Sequence, residues 1–149
     1  MPDFIPKDPD YQRRVAEDFA KQNLMGTIGA RLGEIGPGLC EVILPQRADL
    51  CQQHGFIHAG ITTTIADTAA GYAALSLMPP GAEVMSTEFK INLMNPAAGV
   101  QFVARAEVLK PGRTLTVVRS DVWAEAADGK HSLVATMLAT MICLNQQPR

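Results

Sequence analysis

The chain has 149 residues, of which 47% are hydrophobic and 19% charged, with a net charge of −2 and a mean hydropathy of +0.06. Such a chain suits one globular domain with a sizeable core. It carries no basic stripe for nucleic acid and no apolar run near the roughly 20 residues of a membrane span. The start, MPDFIPKDPDYQRR, is polar and proline-rich with no apolar h-region, so the expected location is the cytoplasm. Cys40, Cys51 and Cys143 are an odd number without C-x-x-C spacing, which reads as reduced core thiols.

Residues 10–24 form the first predicted element, a helix that Asp10 can cap, with Val15, Phe19 and Gln22 on one face. From about 27 to 45 two β-type runs, TIGARLGEI and LCEVILP, flank the turn signal G-P-G at 36–38, a hairpin pattern. The segment 58–78 follows, HAGITTTIADTAAGYAALSLM, apolar or small on every face and expected as a helix buried on nearly every side. Its small residues Ala66, Ala69, Ala70 and Ala73 would let a second helix approach closely. Met78-Pro79-Pro80-Gly81 stops it.

Four strands are predicted next, over 83–94, 99–110, 113–126 and 130–144. In the second of them Val100, Phe102, Ala104, Ala106 and Val108 alternate with Gln101, Arg105 and Glu107. The links N-P-A-A-G, K-P-G-R and A-D-G-K are short, which predicts an antiparallel meander. The whole is an α+β domain over 1–149, with a curved antiparallel sheet around a central helix and residues 1–24 as an N-terminal extension.

Asp67 is the one carboxylate in the apolar helix. A buried ionised carboxylate is costly, so it is paired, neutralised, turned to a wet crevice, or functional. His58-Ala59-Gly60 opens the same helix, where free backbone N–H groups and the dipole favour an anion or a developing oxyanion.

Gln52…Gly55-Phe56-Ile57-His58-Ala59-Gly60…Ala66-Asp67-Thr68-Ala69 closely resembles the signature of hotdog-fold acyl-CoA thioesterases of the phenylacetate-pathway (PaaI-like) type. Ser86-Thr87-Glu88-Phe89…Asn95-Pro96-Ala97 looks like that family's next strand, and Lys110-Pro111-Gly112-Arg113-Thr114 like its turn near the coenzyme A phosphates. The likeness spans roughly residues 25–144. It implies hydrolysis of an acyl-CoA thioester without a cofactor or metal, by a homodimer doubled to a homotetramer. Asp67 would be nucleophile or general base, the Ala59 N–H the oxyanion donor, and Ser86 a group that holds the water. His58 would orient the loop or touch the thioester. Gln52, where the family usually has Asn or Asp, would reach it with one more methylene. His54, Gly60, Thr68, Lys110 and Arg113 would line the bound substrate. Ala59 replaces the first glycine of the family's His-Gly-Gly, a swap that a helical φ tolerates.

Geometry adds a constraint of its own. Eight helical steps separate Ala59 from Asp67, about 12 Å, too far for both to serve one carbonyl. The two roles meet only if a second copy supplies one of them from an antiparallel helix. A metal site at His54, His58 and Asp67 lacks a further ligand pair, and no G-x-S-x-G elbow is present. Besides a thioesterase, two classes fit the resemblance: a hotdog hydratase or dehydratase, and a non-catalytic acyl-CoA binder.

Overall fold

A computed structural model describes residues 3–145. The helix expected over 10–24 is two helices, α1 (Tyr11–Lys21) and α2 (Asn23–Ile28), because the backbone at Gln22 is extended, with φ −76° and ψ 100°. Asp10 holds the N-cap position without a side-chain cap bond. Its carboxylate pairs with Arg13 at 3.2 Å instead. Val15 is fully buried, Phe19 packs on the core, and the Gln22 amide donates to the Tyr72 hydroxyl at 2.7 Å. The face read from the sequence is therefore the one that docks. Residues 27–28, expected in a strand, are helical. α2 ends at Gly29, left-handed at φ 75°, where the Ala30 N–H closes back on the Met25 carbonyl at 2.9 Å.

Two short strands follow, β1 (Arg31–Gly36) and β2 (Leu39–Pro45), joined at Pro37-Gly38. Gly38 has φ 75°, and a Cβ there would lie 2.7 Å from the Phe4 ring, so only glycine makes this turn under the N-terminal segment. The central helix, α3, covers Ala59–Leu75. Four long strands come after it: β3 (Ala82–Leu93), β4 (Gln101–Lys110), β5 (Leu115–Glu125) and β6 (His131–Asn145).

All six strands form one antiparallel sheet in the order β1-β2-β4-β5-β6-β3. β4, β5 and β6 make the expected meander, but β3 does not pair with β4. It lies beside β6 at the far edge, and the link after it carries the chain across to β2. Along that link the Met94 N–H donates to the Val134 carbonyl and the Val100 N–H to that of Glu125, both at 2.8 Å. A Cβ at Gly99 would lie 2.6 Å from the Glu125 carbonyl oxygen, so the crossing depends on glycine. Val100, expected in the inward row, is 53% exposed because β4 begins only at Gln101.

The sheet wraps α3, which touches β2, β3, β4, β5 and β6. Phe102, Ala104, Ala106, Val108, Val118, Val122, Ala124, Ala135, Met137, Ala139 and Met141 point at it from the strands. Ala66, Ala69, Ala70 and Ala73 are fully buried against this sheet. They are therefore not available to a second helix, as the sequence suggested. The helix is also not buried all round. Thr64, Asp67, Thr68 and Gly71 form a half-buried stripe that begins at the exposed Gly60.

Candidate active site

Asp67 lies on that stripe and faces β3. The Ser86 hydroxyl donates to its Oδ1 at 2.6 Å, a charge-assisted bond of the short, strong kind. A bulge aims Ser86. Ser86 pairs with Met141 and Glu88 with Thr140, so Thr87 is an extra residue that shifts the strand's parity. Val84 and Ser86 lie on the helix-facing side of the sheet before it, and Phe89 and Ile91 after it, with Phe89 still 43% exposed. Asp67, Thr68 and Ser86 share a cleft of about 470 Å³ with Gly71, Tyr72, Val84, Met85 and Glu83, and with Asp18, Lys21 and Gln22 from α1 and the residue after it.

At the other end of the stripe, His58 is the N-cap of α3. Its Nδ1 accepts from the Gly60 N–H at 2.8 Å, while the Ile61 and Thr62 N–H groups both reach the His58 carbonyl. Among the described residues the Ala59 N–H donates to no acceptor. Ala59 lines a second cleft of about 410 Å³ with Gln52, Phe56, Thr62, Leu93 and Asn95. The Gln52 side-chain carbonyl accepts from the His54 N–H, and the Gln52 N–H donates to the Phe56 carbonyl at 2.8 Å. This fixes the loop and leaves the amide nitrogen of Gln52 as its free donor. His54 is exposed on that loop. The His58 ring and Gly60 open onto a third hollow with Cys51 and Thr64.

One chain thus brings Asp67, Thr68 and Ser86 together, and separately Gln52 with Ala59. The two clefts share no residue. Arg113 lines a fourth hollow with Phe4, Lys7, Leu77 and Met78, and Lys110 is exposed on the same turn. Neither cation has an ion-pair partner among the described residues. Among the described residues no group of three or more His, Cys, Asp and Glu could hold a metal. Burial pushes the Cys40 thiol up to about 12, well away from a reactive thiolate.

Sequence reasoning missed two features. The wall from α1 was foreshadowed only by Gln22, which continues the Val15–Phe19 face. The capping by His58 had no clear signal, since Ser, Thr, Asp and Asn are the usual N-caps.

Comparison with known proteins points one way. A model of the thioesterase superfamily matches residues 54–128. A crystal structure of a thioesterase family protein from Silicibacter pomeroyi is similar at a TM-score of 0.89 and 48% identity, covering 91% of this chain and 99% of that one. Acyl-coenzyme A thioesterase 13 of Homo sapiens is 29% identical over 117 residues, 74% of this chain and 81% of its own. The E. coli PaaI protein from the phenylacetic acid degradation operon shares the fold, with a TM-score of 0.81 at 19% identity over 93% of this chain and 96% of that one.

Proposed function

This chain belongs to the thioesterase superfamily, and from that premise we propose that it hydrolyses acyl-CoA at a site completed only between two copies. The observation that carries the reading is the 2.6 Å bond from Ser86 to Asp67 on the half-buried stripe of α3. The bond orients the carboxylate and leaves Oδ2 free to act. Asp67 takes a proton from water as the water oxygen attacks the thioester carbonyl carbon. The Ala59 N–H of the second copy donates to the oxyanion, and the Gln52 amide supports it. Collapse breaks the C–S bond, and the departing thiolate takes the proton, giving free acid and coenzyme A. His58 contributes by occupying the Gly60 N–H, which leaves that of Ala59 for the substrate. Lys110 and Arg113 meet the coenzyme A phosphates, arginine being suited to bidentate phosphate contact. His54, Gly60 and Thr68 flank the bound thioester.

The spacing supports a dimer. Asp67 of one helix lies against Ala59 of an antiparallel copy only if the two helices cross midway, beside Thr63 and Thr64. β3 is an edge strand that exposes Met85, Phe89 and Leu93, and it offers the sheet a second pairing surface. Doubling to a tetramer in the cytoplasm completes the reading.

Thiol release from a panel of acyl-CoA thioesters tests it. Wild type should release coenzyme A, and Asp67→Asn should lower turnover by about 10²-fold or more, the scale for a lost catalytic base. Thioester cleavage near wild type in Asp67→Asn would remove the carboxylate from the mechanism. Hydration of an enoyl-CoA without thiol release would mark a hydratase, and binding without either reaction a non-catalytic protein.

A further inference from the structure

Gly71 is a glycine without a packing reason inside its own chain. It lies inside α3 at an ordinary helical φ, and a Cβ added there would meet nothing within 4 Å. By contrast, a Cβ at Gly38 or Gly99 would collide with the Phe4 ring or the Glu125 carbonyl. In a helix interior glycine is poorer than every residue except proline, so the chain's own stability favours alanine here. Gly71 lies one turn beyond Asp67 on the same face, about 6 Å along the axis, and lines the same cleft as Asp67 and Ser86.

The charge of that cleft shows which end of a thioester belongs in it. Asp18 and Asp67 line it, and Lys21, the one cation among its described lining residues, has its ammonium 3.0 Å from the Asp18 carboxylate. Coenzyme A phosphates are repelled by such a lining. A long alkyl chain would strip water from these carboxylates and from Gln22 without replacing it. Thr68, Tyr72, Val84 and Met85 remain as the surface that an uncharged group can cover.

Resting on the reading of Asp67 given above, we propose that this cleft holds the acyl end of the thioester. It takes a compact, uncharged acyl group, and Gly71 sets the size of that group.

The test compares acetyl-, benzoyl-, palmitoyl- and succinyl-CoA on wild type, Gly71→Ala and Gly71→Val, with thiol release as the readout. Wild type should prefer acetyl- and benzoyl-CoA over palmitoyl- and succinyl-CoA. In Gly71→Ala, kcat/KM for benzoyl-CoA should fall about tenfold or more while that for acetyl-CoA stays within about twofold, the scale of one misplaced carbon in a pocket. Gly71→Val should deepen the contrast. The melting temperature of Gly71→Ala should equal or exceed wild type, with unchanged sedimentation. Equal losses on all four substrates, a wild-type preference for palmitoyl- or succinyl-CoA, or a Gly71→Ala chain that dissociates would overturn the proposal. A flat response to Gly71 with Asp67→Asn still inactive sinks this inference alone. Full activity in Asp67→Asn, or no cleavage of any thioester by wild type, sinks the site reading with it.

Discussion

Arg14 ties the N-terminal helix to the end of the helix that carries Asp67, and its removal has a cost that can be worked from the structure. The C-terminal carbonyls of α3 have no partner further along the helix. Nη2 of Arg14 donates to the Leu75 and Met78 carbonyls at 2.9 Å, and Nη1 to that of Pro79 at 2.7 Å. Nε lies 3.3 Å from Asp8 Oδ2, close enough for an ion pair though not aligned for a hydrogen bond. The side chains are only 15% and 10% exposed. Arg14→Met keeps the apolar stem and deletes all four contacts. It also leaves the Asp8 carboxylate buried without its cation. Breaking a buried pair from one side costs about 3–5 kcal/mol, and at about 2–4 °C per kcal/mol for a domain of this size the melting temperature should fall by about 6–20 °C. Urea unfolding followed by circular dichroism, at fixed protein concentration, measures the loss. Adding Asp8→Asn should return about 1 kcal/mol or more, because the stranded carboxylate is then neutral. A loss below about 1 kcal/mol in Arg14→Met would refute the reasoning, as would further destabilisation on adding Asp8→Asn.

Mixed dimers test the shared site. Pairing an Asp67→Asn chain with an Ala59→Pro chain puts both lesions in one of the two sites, so about half of wild-type activity should return per mixed dimer, since the other site keeps base and oxyanion donor. Activity no greater than that of either mutant homodimer would show that each chain acts alone. Arg113→Ala should raise KM for acyl-CoA and spare a truncated thioester without the nucleotide, and equal losses on both would make the residue structural. Stability should also fall with alkaline pH through Cys40. Its thiol is held at about 12 against an ordinary 9.0, so above 9 the unfolded chain sheds a proton that the folded chain keeps. The loss develops between pH 9 and 12, at no more than about 1.4 kcal/mol per pH unit. Denaturant midpoints from pH 8 to 11 should therefore decline less steeply in Cys40→Ala.

What could be read in the sequence was what periodicity and punctuation encode. The alternation from Phe102 to Val108 and the hairpin at Pro37-Gly38 are written locally, and the structure keeps them, whereas α3 ends at Leu75, short of the expected stop at Met78. Where a strand pairs is not written in that strand, which is why β3 was expected beside β4 and lies beside β6. Its own text still held a clue. Val84 and Ser86 are even and Phe89 and Ile91 odd, a change of parity that requires a bulge between them if all four face one side. The break at Gln22 had no such mark, because glutamine is a sound helix former and the bond to Tyr72 is tertiary.

The orientation of α3 is the instructive case. An apolar pattern on every face gives no direction, so the sequence alone lets Ala66, Ala69, Ala70 and Ala73 face a second helix. The polar residues and glycines settle the matter instead. Gly60, Thr64, Asp67, Thr68 and Gly71 recur at helical spacing on one side, and that side is the one the sheet leaves uncovered. A carboxylate there needs no burial in the core to explain its partner. It lies where the bulged strand can present a serine and where solvent or a substrate can reach its other oxygen. The remaining distance, about 12 Å along the helix to Ala59, is one that no side-chain rotamer spans, so under the proposed mechanism a second copy of the chain would have to supply the oxyanion donor.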